Sequence, residues 1–242
     1  MSSEHPAMLR SAVSDFQQSR RQAQIEAVLS GLIGRPTGLL SYEEVRKRLR
    51  LGTSVNRGVE NVPIQSIIGS VGRYHDFTRS FLPRQDSDRD RWARVKVGVT
   101  DLSGLPPVEL YKIGEAYFVI DGHHRISVAR QVGASHIEAY VREVHTRVNL
   151  SPKVDPEDLI LKYEYADFLY GTEFDQVIPD VELKLTEAGL YPVLKEHIDV
   201  HRYYMGVDEE REIPYSEAVR HWYENVYRPV IDVIHAVSYT HL

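Results

Sequence analysis

Apolar residues recur at helical spacing over residues 8–33, where Leu9, Val13, Phe16, Ala23, Ala27 and Leu29 alternate with a Gln- and Arg-rich face. That pattern predicts an amphipathic helix, ended by Gly31 and Gly34-Arg35-Pro36. A short second helix follows, because Ser41 stands three residues before Glu44, the spacing of an N-terminal capping pair. Leu51-Gly52 then opens a polar stretch to Asn61 that reads as loop. From Val62 the texture changes. Val62–Ile68 is a β-branched run suited to a strand, Gly69–Pro83 is loop-like, and Asp88–Val99 reads as a polar helix centred on Trp92. Val108–Ile113 and Ala116–Asp121 are two strands joined by Gly114-Glu115, a two-residue hairpin signal. A helix is predicted from about His124 to Gln131, stopped by Gly133, and Ile137–Val144 alternates as a strand does.

The rest of the chain has mostly helical periodicity. Asp155–Tyr170 is opened by Pro156 at its first position. Val181, Leu183 and Leu185 alternate with polar residues as a short strand. Pro192–Met205 is a helix closed by Gly206, and Ser216 caps a last helix to about Ala236, with a kink at Pro229. That helix has no C-cap, the pattern of a truncated chain, and the final Val-Ser-Tyr-Thr-His-Leu looks like adaptor-derived sequence. The expected class is α+β. A compact mixed α/β domain at 59–148 is flanked by an N-terminal helical segment, 1–58, and a mostly helical region, 149–236, with 237–242 as a non-native tail.

Composition narrows the chemistry. With 242 residues the chain can bury a sizeable core, and its lack of cysteine removes disulfides, thiolate metal sites and any Cys nucleophile. No apolar run approaches a membrane span, and Met1–Gln24 is too polar for a signal peptide, so a cytoplasmic location without membrane contact is expected. Charge is unevenly spread. Residues 1–100 carry 16 Lys/Arg against 10 Asp/Glu, whereas residues 151–242 carry 8 against 19. The basic N-terminal third, with Arg46-Lys47-Arg48-Leu49-Arg50, can face DNA or be a solvated helix face. The acidic C-terminal region repels nucleic acid and suits a protein partner.

The segment richest in chemistry is Tyr117-Phe-Val-Ile-Asp121-Gly122-His123-His124-Arg125. An apolar strand ends in Asp-Gly and turns directly into a helix. Gly122 permits the tight turn and the close approach of a ligand, and the first helical N–H groups form an anion site. Arg125 adds a donor fork suited to phosphate, although a cation in the first turn opposes the helix dipole. His123 and His124 can donate to phosphate or carry a proton. Alternatively, Asp121 caps the helix and the histidines satisfy nearby carbonyls.

The run Asp121–Arg125, with Ala129 and Gly133, resembles the nucleotide-binding signature of the ParB/sulfiredoxin superfamily. ParB-type partition proteins carry Gly-Glu-Arg-Arg there, sulfiredoxin carries Gly-Cys-His-Arg, and ParB-related free-serine kinases have a similar turn. Val62-Pro63-Ile64 through Ile67 resembles the opening strand, Leu105-Pro106-Pro107-Val108 the approach to the hairpin, and Ile137–Val144 the closing strand. The likeness covers about residues 60–146. It implies a ParB/sulfiredoxin-like fold, and phosphate binding by Gly122, His124 and Arg125. His123 replaces the sulfiredoxin cysteine, which excludes sulfinic acid reduction. It also replaces the ParB glutamate, which departs from the pattern for CTP hydrolysis and DNA clamping. No ParB-type helix-turn-helix follows residue 146, and 151–236 is similar to extensions of bacterial ParB-like proteins.

The resemblance implies a nucleoside triphosphate or diphosphate, ATP or CTP, with Mg²⁺ as its companion ion. Hydrolysis or phosphoryl transfer would engage Asp121 and His123 as catalytic groups. Arg73, in the loop after the first strand of the fold, is a second phosphate ligand or else pairs with Asp76, and His75 or Asp76 is a further polar group there. Arg79 and Arg84 belong to the same basic stretch. The alternatives are a DNA-associated regulator or nuclease without nucleotide turnover, and a nucleotide-sensing module that engages a protein. His197 and His201 have zinc spacing, but no Glu follows His197 and no third ligand is evident beyond His221 or Glu217, so no metal site is expected. Tyr203, Tyr204, Trp222, Tyr223 and Tyr227 read as helix-packing core.

Overall fold

The computed structural model describes residues 4–33, 38–100 and 106–238. The chain forms two units, Met1–Val154 and Asp155–Leu242. The first is built on a mixed sheet of strands β1 (Leu40–Ser41), β2 (Ser54–Pro63), β3 (Ile67–Ser70), β4 (Val108–Ile113), β5 (Ala116–Asp121) and β6 (His136–Val144), in the order β1-β3-β5-β4-β6-β2. Its helices are α1 (Glu4–Ile33), α2 (Tyr42–Arg48), α3 (Arg89–Thr100) and α4 (His123–Gln131).

The apolar run of β5 explains its central place. Phe118 and Val119 are both fully buried on opposite faces of the sheet. On one face Val119 joins Ile67, Leu110, Ile126 and Val141, closed by Phe77 and Phe81 of the loop after β3. On the other, Phe118 meets Tyr42 of α2, whose ring stacks on Tyr111 at 4.6 Å. Phe16 of α1 packs edge-on against Trp92 of α3, and Val128 of α4 completes that cluster. The buried Trp92 indole N–H donates to Ser127 Oγ at 2.9 Å, so its polar atom is satisfied inside the core.

The hairpin β4–β5, helix α4 and strand β6 form where the sequence predicts them. Helix α2 does too, with Ser41 Oγ accepting from the Glu44 N–H at 3.4 Å. Two expectations in this unit need correction. The polar stretch Ser54–Asn61 is not a loop but most of β2, which pairs antiparallel with β6. It lies at the sheet edge, where Val62 is buried but nearly every other residue is exposed, so it needs no apolar alternation. Val62–Ile68 is not one strand, because a 3₁₀ turn at Ile64–Ser66 separates β2 from β3. The expected helix stop at Gly34–Pro36 lies outside the described residues.

The second unit holds α5 (Pro156–Thr172), α6 (Phe174–Val177), α7 (Leu190–Glu209), α8 (Tyr215–Trp222) and α9 (Arg228–Ser238). Asp155 caps α5 in a reciprocal capping box with Asp158, and Pro156 takes the first turn. Tyr165, Phe168 and Tyr191 form an aromatic core with ring centroids 5.0–6.4 Å apart. Among the described residues no strand forms at 181–185, although Leu183 is buried. Helix α7 runs through Gly206 rather than ending there. The last helix starts at Tyr215 behind Pro214, not at a Ser216 cap. Pro229 is accommodated by a π-helical turn at Tyr223–Tyr227, which widens the backbone ahead of the proline ring. The end of the expected tail, residues 239–242, lies outside the described residues.

Candidate functional site

Strands β3 and β5 run parallel, so their C-terminal ends and the loops that leave them emerge side by side. That is where parallel sheets bind ligands. Val71-Gly72-Arg73 after β3 and Asp121-Gly122 after β5 line a cavity of about 360 Å³ with His123, His124 and Arg125 of α4 and Arg91 and Val95 of α3. Its volume lies at the lower end of small-molecule pockets, about 300–1,000 Å³.

Gly122 is the hinge of the site. It is left-handed (φ 106°, ψ 20°) and forms the N-cap of α4 without any side-chain cap. A Cβ there would lie 2.5 Å from Val108 Cγ1, so conformation and packing both require glycine. The first intrahelical donor of α4 is Ile126, to the Gly122 carbonyl at 3.0 Å. The N–H groups of His123, His124 and Arg125 therefore have no acceptor within the helix, at its positive end and beside the cavity.

The two histidines are buried and neutral. His123 Nε2 lies 2.6 Å from Ser70 Oγ, and its ring stacks on Phe77 at 5.8 Å. Burial, and then the Arg73 guanidinium, push its pKa down to about 4. Burial takes His124 to about 4 as well, with Asp88 opposing and Arg73 adding to the shift. His124 Nε2 therefore accepts from Arg73 Nη1, at 3.1 Å. Its proton then sits on Nδ1, which is buried and, like Asp88 Oδ2, has no hydrogen-bond partner among the described residues.

The arginines differ in what holds them. Arg73, left-handed at φ 56°, donates from Nε to Asp76 at 2.7 Å and from Nη2 to Asp88 at 2.6 Å. Arg125 donates from Nη1 to the Pro106 and Pro107 carbonyls at 2.6 and 2.8 Å, and from Nη2 to Asp121 at 2.5 Å. Asp121 thus pairs with Arg125 rather than capping the helix. Arg91 stands apart: among the described residues it has neither an ion pair nor a hydrogen bond, and its side chain lines the cavity. Sequence reading missed it and Ser70. The signal for Arg91 was its i, i+4 relation to Val95, one turn of α3 sharing a face. The signal for Ser70 was its place at the end of a strand parallel to β5.

Other sequence candidates lie elsewhere. Arg79 donates to the Val154 carbonyl at 2.6 Å, and His75 packs its ring on Tyr74 at 4.3 Å. Around Arg46–Arg50, Val45 and Leu49 are buried while Arg46, Lys47, Arg48 and Arg50 are exposed. His201 Nε2 meets His221 Nδ1 at 2.8 Å, and among the described residues no group of three or more His, Cys, Asp or Glu is placed to hold a metal. Trp222 is core, but Tyr203 and Tyr204 are 67% and 60% exposed, contrary to the packing expected of them. No described helix is long and apolar enough to cross a membrane.

No family model matches the chain, and no curated protein matches it. Among solved structures it is similar to sulfiredoxin from Arabidopsis thaliana, at 14% identity. The match covers 35% of this chain and 84% of that one, with a TM-score of 0.28.

Proposed function

We propose that the first unit is a ParB/sulfiredoxin-like module that binds a nucleoside di- or triphosphate at the head of α4 and hydrolyses it or transfers its phosphoryl group. The observation that carries this reading is the uncapped α4 N-terminus facing a cavity beside the unpaired Arg91. Phosphate oxygens would accept from the free N–H groups of His123, His124 and Arg125 and from Arg91. Arg73 and Arg125, already fixed by carboxylates and carbonyls, contribute field and shape without reorganising.

In this reading His123, neutral at pH 7 and held in orientation by Ser70, accepts a hydrogen bond from the attacking hydroxyl or water and positions it. Among the described residues Asp121 is the one carboxylate lining the cavity, which fits a Mg²⁺ ion held mainly by the phosphates. That ion would neutralise charge developing on the transferred group.

Two other readings have their own observations. The exposed Arg46, Lys47 and Arg48 support DNA association, and the exposed Tyr203 and Tyr204 of the acidic second unit support a protein partner. The deciding experiment is calorimetric titration of ATP, ADP, CTP, GTP and inorganic phosphate, with and without Mg²⁺, into wild type and Arg91→Ala. Nucleotide-selective binding weakened by the substitution is expected, followed by turnover of the selected nucleotide. Absence of binding by every nucleotide would sink the reading, and DNA binding that falls steeply with salt would replace it.

A further inference from the structure

Strand β2 is an edge of the sheet, and among the described residues nothing pairs with its outer side. Ten residues is long for an edge, and unprotected edges of that length template pairing with another chain. Val55 and Val59 are 64% and 53% exposed along it. The strand carries one irregularity, a bulge at Arg57-Gly58, where the register against β6 shifts between Asn56 and Gly58.

The bulge makes the strand complementary to itself. With Arg57-Gly58 taken as one position, the order Val55, Asn56, Arg57-Gly58, Val59, Glu60, Asn61, Val62 is symmetric about Val59. Antiparallel pairing with a second copy sets Val59 beside its equivalent. It also sets Arg57-Gly58 opposite Glu60, Asn56 opposite Asn61 and Val55 opposite Val62, each pair occurring twice.

The faces agree with that register. Asn56, Val59 and Asn61 stand opposite Arg142, Tyr140 and Glu138 of β6, on the outer face. Glu60 and Val62 stand opposite Ala139 and Ile137 on the core side, and Val55 opposite Glu143. Arg57 reaches Glu60 at 3.7 Å and Glu143 at 3.4 Å, so it lies on the same side as the Glu60 it would meet across the dyad. Both contacts are loose, and the Arg57 side chain is half exposed, leaving it able to engage a further carboxylate. On the outer face, half-exposed Tyr140 flanks Val59, so pairing would build a continuous apolar row of Tyr140 and Val59 with their equivalents.

We propose that β2 is a homodimer interface, in which two copies of this chain join their sheets by antiparallel pairing of β2 about a two-fold axis at Val59. Isologous contact of this kind makes every attractive pair appear twice, which an unrelated peptide strand would not reproduce. The interface is independent of the nucleotide reading. Strands β4 and β6 separate β2 from β5, and no β2 residue lines the α4 cavity.

The test is sedimentation equilibrium of the full chain over a concentration series, for wild type, Arg57→Glu and Glu60→Arg. Wild type is expected to dimerise. Each single variant, which sets like charges opposite each other twice, should raise the dimer dissociation constant about tenfold or more. An equimolar mixture of the two variants should regain dimer, because each heterologous pair is again of opposite sign. Mixing leaves the fold of each variant unchanged, and circular dichroism checks that both are folded. A wild type that stays monomeric throughout overturns the proposal, as does a dimer indifferent to both charge reversals or a mixture that fails to recover.

Discussion

Val108 Cγ1 stands 2.5 Å from the position that a Cβ on Gly122 would occupy. Strand β4 therefore presses on the turn between β5 and α4, and the turn has room for backbone only. Gly122→Ala meets this overlap and also a left-handed φ of 106°. Strain and overpacking together should destabilise the first unit by about 2–4 kcal/mol. Urea unfolding followed by tryptophan fluorescence measures this, since Trp92 reports on that unit. A loss under about 1 kcal/mol would mean that the turn is not locked by Val108.

Acid should weaken the first unit through its buried histidines. His123 has a folded pKa of about 4, below the 6.5 of an exposed histidine. The unfolded chain therefore binds the proton first. Its contribution to stability is complete above pH 6.5 and is lost as pH falls toward 4. The loss is on the order of 3 kcal/mol at most. His124 titrates in the same direction. Unfolding free energy measured from pH 7 to pH 4 should fall in wild type and fall less steeply in His123→Gln. Equal slopes in the two proteins would show that His123 is not held neutral by burial.

The N-terminal helix separates packing from periodicity. Phe16 is buried against Trp92, whereas Leu29, on the same apolar series in sequence, is 54% exposed. Phe16→Ala should cost about 3–5 kcal/mol, and Leu29→Ala should stay within about 0.5 kcal/mol. Thermal unfolding of the two variants checks both values, and a large loss on Leu29→Ala would mean that the end of α1 is covered in solution.

That contrast shows what the sequence discloses and what it hides. The β4–β5 hairpin and the turn into α4 were legible because each is a local device: Gly114-Glu115 for the hairpin, an apolar strand ending in Asp-Gly for the turn. Strand β2 was not, because an edge strand exposed at every residue from Ser54 to Val59 has no alternation to read there. Partners distant in sequence were hidden too. Nothing near residue 125 indicates that its guanidinium holds the Pro106 and Pro107 carbonyls, or that Ser70 meets His123 across 53 residues. Such pairings depend on which strand ends the sheet brings together, the end of β3 beside the end of parallel β5 and the start of β4 beside that same end of antiparallel β5, a property of topology rather than of any segment. For the same reason Arg125 stood out in sequence as a phosphate ligand, while Arg91, a cavity cation without an ion pair or hydrogen bond among the described residues, did not.

Arg91 and Arg125 line one cavity but should fail in opposite ways when removed. Arg125 ties the approach to β4 to the head of α4 through two backbone carbonyls and Asp121. Arg125→Ala leaves those acceptors without their donor and should cost about 1–3 kcal/mol of stability, whatever it does to ligand affinity. Arg91 holds nothing in the described structure, so Arg91→Ala should leave stability within about 0.5 kcal/mol of wild type. Its effect should fall on binding instead. Loss of one charge-assisted hydrogen bond to phosphate is worth about 1.5–3 kcal/mol, roughly 10- to 150-fold in Kd. Unfolding and calorimetry on both variants separate the two roles. If Arg91→Ala lost stability and kept full nucleotide affinity, Arg91 would be a structural residue and the phosphate would have to be held elsewhere.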